Sequence, residues 1–165
     1  MSRSAISLIE RGASSPTAVV LDKLATGLDV SLASLFVIPE VGTAPDPVAR
    51  CPAQTRWRNP QSGYVRRNIS PPGWPSPIGI VEVVFPAGAT VSFETAHRPT
   101  TAHQQVWVLS GQMEVSVGDQ THELGTGDCL AMHLDRPVTY RNRSARSTRY
   151  AVVVVTDRVP AQGPS

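Results

Sequence analysis

Two rhythms of apolar and polar residues divide the chain. In the first, Val20, Leu21, Leu24 and Leu28 recur at spacings of three and four, which predicts one apolar stripe along a helix. Ser15-Pro16-Thr17 starts that helix and Gly27 ends it, while Ser2 caps an earlier helix from Arg3 to Arg11 that Gly12 stops. A third short helix follows Ser31 and carries Leu32, Leu35 and Phe36. From Val37 to about Thr55 neither rhythm holds, and Pro39, Pro45, Pro47 and Pro52 predict a stiffened linker. The second rhythm is alternation, over Ile78 to Phe85, Thr90 to Phe93, Gln104 to Leu109, Gln112 to Val117, Thr121 to Leu124, Cys129 to Leu134, Val138 to Arg141 and Arg149 to Val155. Gly118-Asp119 and Gly125-Thr126-Gly127-Asp128 supply hairpin turns, so about eight short antiparallel strands imply a sandwich or barrel. Residues 157 to 165 read as a frayed tail.

Composition sharpens this picture in a few places. Fifteen prolines and twelve glycines among 165 residues suit a strand-and-turn majority. A formal net charge of +2 is too small to attract nucleic acid by electrostatics alone, so any DNA contact must come from a motif. Cys51 and Cys129 stand in no metal-ligand spacing, no secretory signal opens the chain, and no apolar run approaches a membrane span. A reducing cytoplasm and no membrane partner are the expectation. Neither a Ser-His-Asp set, nor a phosphate loop, nor a carboxylate pair is visible.

The stretch Ser2 to Gly12, with Ser15-Pro16, Leu21-Asp22-Lys23-Leu24-Ala25 and Leu28 to Phe36, resembles the recognition helix and following helices of Xre-like, phage-repressor-type regulators. That resemblance implies that Ile6 and Ile9 face a small core. It implies equally that Ser2, Arg3, Ser4 and Ser7 are offered to DNA at the end of a helix entering the major groove. Glu10 is implied to anchor that helix and not to touch DNA. The alternative is a pair of amphipathic helices with a polar outer face. Family members carry two helices before this point, and Met1 stands where they usually have a small aliphatic residue. The expectation is therefore a start site placed too far downstream, with a remnant that does not bind DNA by itself, since so short a helix is marginal without its partners.

A second resemblance covers most of residues 56 to 156. Glu94 to Gly111, including Gln104-Gln105-Val106-Trp107-Val108-Leu109-Ser110-Gly111, and Gly127-Asp128 to Asn142 with Pro137 and Tyr140, are similar to the two motifs of the cupin superfamily. Metal-binding cupins hold their ion with three histidines and a glutamate. The matching positions here are His97, Pro99, Gln104 and Val138, so one donor of four survives. An amide, a proline and a valine do not supply what a divalent ion needs. No metal, no cofactor and no catalytic residue are expected, and the chain is read as a non-enzyme. A ligand pocket is expected instead from His97, Gln104, Val106, Val108, Met132, Val138 and Tyr140; the plainer alternative is a barrel packed solid. His103, His122 and His133 read as surface or core filler. Strand alternation sets Trp107 on the face opposite Gln104, either between sheets or at a dimer interface, and Arg66, Arg67, Arg141, Arg143, Arg146 and Arg149 read as solvated.

The fold class expected is mainly β, a cupin-type double-stranded β-helix or jelly-roll barrel preceded by an incomplete all-α helix-turn-helix remnant. Its divisions are 1–36 helix-turn-helix, 37–55 linker, 56–156 barrel and 157–165 tail. The function expected is a DNA-binding transcription regulator, homodimeric, whose barrel senses an unidentified small molecule. A cupin metalloenzyme (isomerase or dioxygenase) and a non-sensing dimerisation barrel are the alternatives.

Overall fold

A computed structural model describes residues 16–27, 45–94 and 102–156. The proposed DNA contacts Ser2, Arg3, Ser4 and Ser7, the pocket candidate His97 and the tail lie outside these residues. Helix α1, Ala18–Gly27, begins where the Ser-Pro-Thr signal places it: the Val20 amide donates to Thr17 Oγ1 at 3.3 Å and the Leu21 amide to the Thr17 carbonyl at 2.9 Å. Leu21, in the apolar stripe, is buried, and Val20 and Leu24 are half-buried. No helix among the described residues is long and apolar enough to cross a membrane.

Ten strands are described: β1 Arg56–Arg58, β2 Val65–Asn68, β3 Ile78–Phe85, β4 Thr90–Phe93, β5 Ala102–Ser110, β6 Gln112–Val117, β7 Gln120–Gly125, β8 Cys129–His133, β9 Val138–Arg141 and β10 Thr148–Thr156. They form two sheets, ordered β1-β2-β3-β10-β5-β8 and β4-β9-β6-β7, with every pairing antiparallel. Alternation turns Val81, Val83 and Phe85 of β3, Val106 and Val108 of β5, and Tyr150 and Val152 of β10 inward. Val91, Met113, Val115, Val138 and Tyr140 meet them from the second sheet. Val106, Val108 and Val115 are wholly buried, and each such side chain contributes roughly 1.5–3 kcal/mol relative to exposure. The expected β barrel is the observed architecture.

Two details close one end of it. Gly111 is the single residue between β5 in one sheet and β6 in the other, with φ +90°, and a Cβ there would lie 3.1 Å from Thr148 Cα and 3.3 Å from the Ser147 carbonyl oxygen. Only glycine makes that corner without displacing backbone. Asn142, fully buried, donates from Nδ2 to the carbonyls of Phe85, Pro86 and Arg146 at 3.2, 3.1 and 2.8 Å, while its Oδ1 accepts from Ser144 N–H and Oγ–H. One carboxamide thus ties the end of β9 to the β3–β4 turn.

Strand β2 escapes the alternation rule, and β1 is too short to display it from sequence. In β1 only Trp57, between the exposed Arg56 and Arg58, packs on the core, and Val65-Arg66-Arg67-Asn68 of β2 is half-buried throughout. Arg67 is not a solvated cation: it pairs with Glu82 of β3 at 2.8 Å and donates to Cys51 Sγ at 2.8 Å. Arg143 pairs with Glu114 at 2.7 Å.

Candidate functional site

Gln104 stands on β5 opposite Met132 of β8 and Val154 of β10. Its side chain crosses the interior: Nε2 donates to Tyr140 Oη on the facing sheet and lies 3.9 Å from Met132 Sδ. Gln104, Met132 and Tyr140 are at most 7% exposed, and Val138 is 1% exposed. A polar bridge this dry is strong electrostatically, and costly if one partner is removed. Val106 and Val108 lie further along β5 on the same inward face. All the pocket candidates named from the sequence except His97 therefore sit inside the barrel, and Gln104, Met132 and Tyr140 meet directly.

Tyr140 also belongs to a line of rings. It packs edge-on to Phe93 at 5.9 Å and stacks on Tyr150 at 6.0 Å with 4° between planes. From Tyr150 the line continues to Phe85 at 6.2 Å, Tyr64 at 5.8 Å and Trp57 at 5.6 Å. Burial pushes the Tyr150 phenol well above its ordinary value, reinforced by Tyr140 and Tyr64 and opposed by Arg66. It is neutral at physiological pH. Sequence reasoning passed over Tyr150, although its parity with Val152 on β10 marks it as inward.

The donor set at the described positions does not fit a divalent metal. Gln104 offers a neutral amide oxygen in place of a carboxylate, and Val138 offers only carbon. Among the described residues no three of His, Cys, Asp and Glu come together. His103 and His133 pair across β5 and β8 with ring centroids 4.6 Å apart, but both are exposed on the outer face, and His122 is half-buried on β7. Trp107 also points outward, 50% exposed. A separate surface groove of about 280 Å³ is lined by Ser70, Pro71, Trp74, Ser76, Ile78 and Ile80.

Two facing antiparallel sheets, joined by the Gly111 corner and enclosing a buried polar bridge, define a cupin barrel. The Cupin domain family matches residues 81–155 and the Helix-turn-helix family residues 1–35. The chain thus joins a segment that matches a helix-turn-helix family to a C-terminal segment that matches a cupin domain family. It is similar to an HTH_3 family transcriptional regulator from Vibrio cholerae, at 23% identity over 95% of this chain and 82% of that one, with TM-score 0.72. The cupin domain of an XRE family transcriptional regulator from Enterobacter cloacae is 21% identical over 58% of this chain and 98% of its own, with TM-score 0.52. KdgF from a Halomonas species shares the fold at 15% identity, covering 69% and 96%, with TM-score 0.53. No curated protein matches the sequence.

Proposed function

We propose that this protein is a DNA-binding transcription regulator, acting in the cytoplasm as a homodimer, whose barrel takes a small organic effector at the Gln104–Tyr140 bridge. The observation that carries the reading is the bridge itself: where the matching cupin position holds a metal-binding glutamate, this chain places a neutral amide bonded to a phenol. Amide and phenol together offer both donors and acceptors, and Met132, Val138 and Phe93 supply apolar wall, the mixture typical of small-molecule sites. An effector that replaces the Gln104–Tyr140 bond loosens or tightens the two sheets. A change in that spacing is a two-state element on which a DNA-binding segment can depend.

The DNA-contacting face in this reading is Ser2, Arg3, Ser4 and Ser7, supported by the helix-turn-helix match to residues 1–35. Selection of bound sequences from random DNA, by the protein carrying a two-helix N-terminal extension of the family type, tests it: enrichment of one half-site as an inverted repeat, lost in Arg3→Ala, is expected, and no enrichment counts against it. The complete burial of Val106, Val108 and Val115 favours a second reading, a barrel that only dimerises. In that case no small molecule would stabilise the fold.

A further inference from the structure

Strand β2 shows no alternation in burial, yet its register fixes which way each residue faces. Val65 pairs with the exposed Val84 and Arg67 with Glu82, so both belong to the outer face. Arg66 pairs with Val83 and Asn68 with Val81, both buried, so Arg66 and Asn68 face the barrel interior. One lateral row on that face runs Trp57, Arg66, Val83, Tyr150 and Val108 across five strands. Arg66 is half-buried and its Nε is wholly enclosed, which sets a guanidinium at the edge of the interior with part of the side chain still within reach of solvent. Arg66 is thus no more a solvated cation than Arg67.

We infer that Arg66 anchors a carboxylate of the effector, so that the barrel takes an organic acid with a planar, apolar body. The inference names the class of ligand for the site proposed above and rests on that reading. A guanidinium is a planar fork that carries two parallel hydrogen bonds to a carboxylate, and it stays charged at any pH the protein meets. One fork suits one carboxylate: Arg67 faces outward and is taken by Glu82 at 2.8 Å, so β2 offers no second cation for a phosphate dianion. Asn68, one row along on the inward face, has an enclosed Oδ1 with no hydrogen-bond partner among the described residues, and a hydroxyl or amide on the acid satisfies it. Aromatic rings flank the cation. Trp57 stands beside Arg66 in the ladder and packs edge-on to Tyr64 at 5.6 Å. The charge of Arg66 is felt at the Tyr150 phenol, where it works against the burial that keeps the proton on. Tyr150 in turn stacks on Tyr140, the partner of Gln104. An acid with its carboxylate on Arg66 lays its body along these rings, toward the bridge.

Thermal unfolding of the full chain with benzoate, phenylacetate and 3-phenylpropionate, each against its neutral primary amide at one pH and ionic strength, tests this. The acids are expected to raise the wild-type Tm in proportion to occupancy, and the amides to leave it in place. Titration calorimetry with the best acid should show a dissociation constant roughly thirtyfold or more higher in Arg66→Leu, the loss typical of a partly desolvated charge partner. Arg67→Gln, on the outer face, leaves it unchanged. Should Arg66→Leu fail to fold, Arg66→Lys keeps the charge without the fork and weakens the acid about tenfold. Amides that stabilise the wild type as well as the acids do, acids that move nothing, or acids that bind the folded Arg66 variants as tightly as the wild type overturn the inference. Failure of the effector site at the bridge reads differently: acid binding that needs Arg66 and is indifferent to Gln104→Leu upholds the anchor and counts against the bridge.

Discussion

Gln104 and Tyr140 stand on opposite sheets of the barrel, 36 residues apart in sequence, and meet through one buried hydrogen bond from the amide nitrogen to the phenol oxygen. Because both are nearly inaccessible to water, neither can recover a lost partner from solvent. Tyr140→Phe is therefore expected to lower stability by about 1–3 kcal/mol. Gln104→Leu/Tyr140→Phe together should cost less than the sum of the single changes. Urea unfolding of the four proteins in a double-mutant cycle measures it, and strict additivity would show that the bond carries no coupling.

Asn142 is the clamp at the closed end. Asn142→Ala removes three donations to the carbonyls of Phe85, Pro86 and Arg146 and empties a fully buried position. Denaturant unfolding should show a loss of about 1–3 kcal/mol, since the buried Phe85 carbonyl loses this donor, while the Arg146 carbonyl keeps the Ser144 hydroxyl.

Gly111→Ala meets backbone on Thr148 and Ser147 while requiring a left-handed conformation. The conformation alone costs roughly 1–2 kcal/mol, and the crowding adds to it. A melting temperature within a degree or so of wild type would mean that the β5–β6 corner relaxes freely.

The Tyr150 phenol is held above its ordinary value by burial first and by Tyr140 and Tyr64 second. The unfolded chain loses that proton at about pH 10, before the folded one does. Stability from keeping the phenol neutral is thus fully present below about pH 10 and is lost as pH rises toward the folded-state value. Tyr150→Phe should flatten this alkaline decline in a series of melting curves, with little change of slope below pH 9 or so.

The legibility of the sequence follows from how local each signal is. Strands β3, β4, β6 and β9 begin and end where alternation places them, because one face of each is buried and the pattern records it. Strands β1 and β2 left no such record: β1 is a three-residue edge strand, and β2, rich in arginine, is held between β1 and β3 by ladder pairing and the Arg67–Glu82 contact. Inward placement of Gln104, Val106, Val108, Met132, Val138 and Tyr140 follows from strand parity and the cupin motifs. The bond between Gln104 and Tyr140 does not, because it depends on which strands of the two sheets face each other. Likewise the ring series from Trp57 to Phe93 joins five strands that no local pattern connects.

A thermal-unfolding screen of small polar organic molecules, run in parallel on the wild type and on folded Gln104→Leu, reaches the account most directly. Recognition inside the barrel predicts compounds that raise the wild-type Tm in proportion to occupancy and leave Gln104→Leu unmoved. Compounds that stabilise both proteins equally, or a screen in which nothing moves the wild type, would contradict it.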